Sequence, residues 1–138
     1  MNKLTASLLI AALGLFGCTS TKQPVAKPQP FFAAKVQQIQ TGELDKYWMM
    51  APVKPKMYSG KPKWLGSGQG IASYLATIDS NGTVVALELI DTKPKGWMTQ
   101  AKLDMMPQHQ YLVAPTNPNK TPVQVVMTVE TKVSVQRL

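Results

Sequence analysis

A chain of 138 residues with one cysteine, one histidine and only seven acidic side chains lacks the raw material of several protein classes. The lone thiol, Cys18, allows no internal disulfide, so the fold rests on its core; at 44% hydrophobic residues such a core is feasible. The lone histidine, His109, follows Pro107-Gln108 in a turn-rich stretch. It lacks the orienting carboxylate and neighbouring nucleophile that general-base catalysis needs. Ser67 lies between Gly66 and Gly68 without the strand-to-helix setting of a nucleophile elbow. Gly66, Gly68 and Gly70 lead into a strand, where a phosphate loop needs a helix N-terminus. Met105 and Met106 before His109 offer soft donors for monovalent copper, but the helix face predicted below uses such methionines as adaptable core filling. The expectation is a protein that is not an enzyme, with no catalytic residue, cofactor or metal. Nor does any apolar run reach the length of about 20 residues that a membrane-spanning helix needs.

The longest apolar run, residues 4–16, follows Met1-Asn2-Lys3 and ends in Leu15-Phe16-Gly17-Cys18. A charged start, a short apolar stretch and small residues before the cut read as a cleaved export signal over residues 1–17. The final four residues resemble the lipobox of bacterial lipoproteins, which implies that Cys18 becomes the acylated first residue of the mature chain. Thr19 stands where an inner-membrane retention signal has aspartate, so the resemblance implies a lipid anchor in the outer membrane with the domain in the periplasm. Acyl chains contribute about 0.8 kcal/mol per buried methylene, enough for several on one residue to hold the protein to a bilayer.

The formal charge of +8 drops by one unit when Lys3 is removed. The lysines are dispersed beside prolines and turns, which reads as a solvated surface rather than a built anion site, and export excludes intracellular nucleic acid as a partner. After Cys18, residues 19–30 of the 18–30 segment hold three prolines and no large apolar cluster, the composition of a tether reaching about 37 Å if fully extended as polyproline.

Phe32, Val36 and Ile39 fall at helical spacing, predicting a short amphipathic helix over 31–40 that Gly42 ends. Tyr47, Trp48, Met49 and Met50 then form an aromatic, flexible apolar group suited to a strand or irregular packing, and Pro52, Pro55 and Pro62 bar a long helix, leaving an extended wrap to about residue 60. From Gln69 two β-prone runs are joined across Asn81-Gly82, a hairpin, because these residues accept the positive φ of tight turns. Met98, Ala101 and Met105 mark one face of a helix over 97–106 that Pro107 stops. Val123, Val125, Met127 and Val129 alternate with polar or smaller residues as a further strand with one apolar face.

This order, with Lys61-Pro62-Lys63-Trp64 before it, Gly68-Gln69-Gly70 at its opening, Lys93-Pro94 before the helix and Tyr111-Leu112-Val113-Ala114-Pro115 after it, resembles the C-terminal domain of the TonB energy-transducer family. The resemblance implies an α+β domain over 61–138: a three-stranded antiparallel sheet of β-β-α-β order, first strand central, with one helix packed on a face. It also implies that the last strand is a free edge to which a TonB-box-like peptide of an outer-membrane transporter adds itself. The matching positions are Val123, Gln124, Val125, Val126, Met127, Thr128 and Val129, flanked by Lys61, Pro62, Lys63 and Trp64. Without a membrane-spanning helix or a long spacer, the role left is binding an envelope protein segment. The alternative is a structural lipoprotein whose edge is satisfied by a second copy, as a homodimer, or by its own residues 31–57.

Overall fold

The computed structural model describes residues 29–132; the predicted signal peptide, Cys18, the tether up to residue 28 and the tail 133–138 lie outside the described residues. The hairpin forms where the turn chemistry places it. β3 (Gly70–Ile78) and β4 (Val84–Lys93) pair antiparallel, with register shifts at Ser73/Tyr74 and Thr77/Ile78. At the turn Gly82 has φ of +73°, and a Cβ there would strike the Tyr111 carbonyl, so both conformation and close approach call for glycine. Asp79, 1% exposed, fixes the turn: its Oδ1 accepts the Asn81 N–H at 2.9 Å and the Thr83 N–H at 3.0 Å.

β6 (Val123–Thr131) runs antiparallel to β3 along its whole length, from Ile78 opposite Val123 to Gly70 opposite Thr131. β3 is thus the centre of a β-β-α-β unit. A fourth strand extends it, because β1 (Gln37–Ile39) adds parallel to β6, giving the order β1-β6-β3-β4. The helix predicted over 31–40 is therefore absent. Phe32 stays 45% exposed, while Ile39 packs against both core clusters from an extended backbone. Three residues at helical spacing described no common face.

After β1 comes a 3-10 turn, Thr41–Glu43, and one helical turn, α1 (Leu44–Tyr47). β2 (Trp48–Met50) then pairs antiparallel with β5 (Tyr111–Val113) in a separate two-stranded sheet. Residues 51–60 carry no regular structure and are nearly all exposed, as the prolines dictate. The second helix, α2 (Gln100–Asp104), is shorter than the spacing predicted and turned in phase. Thr99 caps it, so Met98 (1% exposed) precedes the helix and Leu103 (0%) is its buried residue. Ala101 and Met105 point to solvent.

The helix side of the sheet carries the core. Ala72, Tyr74, Ala76 and Val125 meet Trp97, Met98 and Leu103, while Trp48, Ile78, Tyr111 and Val123 form a second cluster beside them. Trp48 also donates its indole N–H to the Thr121 carbonyl at 2.9 Å. Residues 31–50 therefore belong to the same folded body as residues 61–132. A Cβ at Gly70 would strike the Trp97 ring, whereas one at Gly42 meets nothing within 4 Å. Gly70→Ala is expected to lower stability by about 1–3 kcal/mol in urea titration, with Gly42→Ala near neutral.

Tyr74 and Tyr111 both direct their hydroxyls at the Met127 sulfur, at 3.9 and 4.0 Å. Burial raises both phenol pKa values above the ordinary 10.0, and for Tyr74 the neighbouring Tyr111 adds to it. The folded state therefore holds its phenolic protons more tightly than the unfolded chain. The contribution of these two side chains is fully present below pH 10.0 and is lost as the pH rises from there through their raised folded values, because the same phenols ionise first in the unfolded chain. Alkaline titration of the unfolding midpoint should show this decline, and Tyr74→Phe should make it shallower.

Candidate strand-docking edge

In a strand, successive residues point their main-chain N–H and C=O to alternate sides. The Pro122 carbonyl accepts the Gln37 N–H at 3.0 Å, and the Val126 carbonyl accepts the Thr41 hydroxyl at 2.6 Å. The even-numbered residues of β6 therefore face away from β3, and the unbroken β3–β6 register carries this through Thr128 and Glu130. Val123, Val125, Met127 and Val129 turn their main chains toward β3 and their side chains into the core.

The predicted docking positions thus separate into three groups. Val123, Gln124 and Val125 lie opposite Gln37, Gln38 and Ile39, so this half of the edge is already covered by the chain's own backbone, a correction to the fully free margin expected. Met127 and Val129 supply core side chains. Val126 and Thr128 face outward, with Glu130, which the sequence reading missed. Beyond the Val126 carbonyl, no strand among the described residues pairs with this side of β6. The covering strand came from a segment read as helix; the alternation of Gln37, Gln38 and Ile39 is too short to announce it.

The side chains of Val126, Thr128 and Glu130 lie on the sheet face opposite the core, beside Leu75, Ser73 and Ile71. That face has no covering layer among the described residues: Ile71 is 38% exposed and Val126 41%. A strand added at Thr128 and Glu130 would extend an open, mixed surface.

Lys61, Pro62, Lys63 and Trp64 precede β3 at Gly70, at the end of the sheet where Gly70 pairs with Thr131. Lys61 donates to the Ser67 hydroxyl at 2.8 Å, and the Leu65 N–H closes a turn on the Pro62 carbonyl at 3.1 Å. Among the described residues Lys63 makes no side-chain bond, and the buried indole N–H of Trp64 finds no partner. The segment is a compact turn.

The opposite margin, β4, is blocked at its middle. The Gln100 side chain bonds the Leu87 carbonyl and the Leu89 N–H. Gln110 bridges Thr83 at the strand's start. A groove of about 490 Å³ runs along the first half of β4, from Val84 to Leu87, and is bordered by Gln29, Pro30, Asp104 and Gln108. Among the described residues no three histidine, cysteine or acidic side chains gather into a metal-binding group, and no helix is long and apolar enough to cross a membrane. No family model, curated protein or solved structure matches this chain.

Proposed function

We propose that this is a lipid-anchored envelope protein that captures an extended segment of another envelope protein by adding it to the outer half of β6. The observation that carries the reading is the asymmetry of the sheet. β4 is engaged at its middle by Gln100, on the Leu87 carbonyl and the Leu89 N–H, whereas β6 is covered only as far as Val126 and leaves Thr128 and Glu130 without a strand partner among the described residues. Edge addition draws its affinity from such main-chain groups and its specificity from alternate side chains, here Val126, Thr128 and Glu130 on the open face. The β-β-α-β order with β3 central supports a TonB C-terminal-like ancestry. The anchor at Cys18 and an outer-membrane location rest on the sequence alone.

The test is a photo-crosslinking amino acid placed at Thr128 or Glu130 in intact cells, with Asp91 near the end of β4 as control. Adducts to one envelope protein from the β6 positions, lost with Thr128→Pro, are expected; equal labelling from Asp91 or none at all rejects the site. Cys18→Ala is expected to abolish incorporation of radiolabelled palmitate and to release the protein from the membrane fraction.

A second reading, a structural lipoprotein whose edge is satisfied internally, draws on the pairing of Gln37, Gln38 and Ile39 with β6. It predicts no adduct from Glu130 under any condition.

A further inference from the structure

β4 is the other outer strand of the sheet, ten residues long, with Ile90 56% exposed on it. An edge of that length is a template for pairing with any extended chain. Its outward main chain is occupied in an unusual way. Gln100, the first residue of α2, donates its Nε2–H to the Leu87 carbonyl at 2.8 Å and accepts the Leu89 N–H on Oε1 at 2.9 Å. A carbonyl and an N–H two residues apart are the pair that an adjoining strand would engage. One side-chain amide therefore imitates one residue of a neighbouring strand at the middle of β4. The amide is itself held, because the same Nε2 donates to the Asp104 Oδ1 at 2.8 Å one helical turn further on, and the helix is fixed by its Thr99 cap. Past Leu89 the register shift opposite Ser73/Tyr74 bends the strand, which further spoils a flat edge.

We infer that Gln100 is an edge guard: it closes β4 to strand addition and so restricts a partner segment to β6, and without it β4 pairs antiparallel with β4 of a second copy of this chain. The clause on the partner rests on the proposed function. The clause on self-pairing does not, so the two fail separately. In a symmetric pairing Leu87 of one copy faces Leu89 of the other, and the two Glu88 side chains lie opposite each other, a like-charge contact that opposes the dimer.

The experiment uses the detergent-solubilised full chain and its Gln100→Met variant, which keeps side-chain length and loses the amide, alone and combined with Glu88→Thr. Sedimentation is expected to show an association constant raised about tenfold or more by Gln100→Met and raised again by Glu88→Thr, the size of change expected for roughly 1.4 kcal/mol. At dilutions where the variant is monomeric, the Leu89 amide should exchange at least about tenfold faster than in the unaltered chain. An unchanged association constant with Leu89 still protected overturns the inference, as does faster exchange without self-association. Should Gln100→Met unfold the chain, Asp104→Ala, which loosens the same amide without removing it, is read by the same two measurements and should shift both in the same direction.

Discussion

Asp79→Ala is expected to lower the unfolding free energy by about 3–5 kcal/mol in urea titration, enough to leave a domain of ordinary stability, about 5–15 kcal/mol, close to unfolding. The carboxylate is 1% exposed and accepts three main-chain N–H groups, from Asn81, Thr83 and Phe31. Each buried N–H left without an acceptor costs about 1–3 kcal/mol. The third bond, at 3.0 Å to Phe31, is long-range. Together with the Ser80 N–H on the Phe31 carbonyl at 2.8 Å and the Ala33 N–H on the Ser80 hydroxyl at 2.8 Å, it moors the N-terminal segment to the hairpin turn. Asp79→Asn separates the two roles. Its remaining oxygen can still serve Asn81 and Thr83, while the new amide opposes the Phe31 N–H. It should therefore keep the turn and release the arm, seen as faster exchange at the Phe31 amide with a smaller loss of stability. Equal losses from both variants would argue against this division.

Trp48→Ala is expected to cost about 3–5 kcal/mol, and a chain starting at residue 51 to lack a cooperative unfolding transition altogether. Trp48 is 2% exposed at the centre of the cluster with Ile78, Tyr111 and Val123, and its β2 is the only strand among the described residues paired with β5. Removing residues up to Met50 also takes away β1 and uncovers Val123, Gln124 and Val125 on β6. The shortened chain would combine an opened core with a longer bare edge, a composition that aggregates. Circular dichroism and denaturant titration of that chain decide the matter: a sharp transition near that of the full chain would show that the first fifty residues are dispensable. The second reading of the function also bears on this result, since an edge covered from within makes β1 a part of the fold, not of a docking site.

The helix readings show where sequence periodicity stops being informative. Over 31–40 the apolar residues Phe32, Val36 and Ile39 recur as a helix would have them, yet only Ile39 reaches the core. Three apolar residues are too few to distinguish a face from coincidence when a strand partner waits elsewhere in the chain. In α2 the apolar set was shifted because the cap at Thr99, rather than Trp97, starts the helix, and the helix phase then follows Leu103. Trp97 belongs to the preceding turn, where its N–H closes on the Pro94 carbonyl at 3.0 Å and its ring fills the space left by Gly66 and Gly70.

From the order of residues alone came the hairpin across Asn81-Gly82 and the inward set Val123, Val125, Met127 and Val129, because turn chemistry and two-residue alternation are local properties of a chain. Tertiary structure settled which parts of each margin have partners among the described residues. The strand covering Val123, Gln124 and Val125 comes from more than eighty residues away, and the amide closing β4 comes from a helix that is not part of the sheet. Whether a main-chain group at a sheet margin is satisfied depends on what the rest of the fold brings against it, and that contact leaves no mark in the residues of the margin itself.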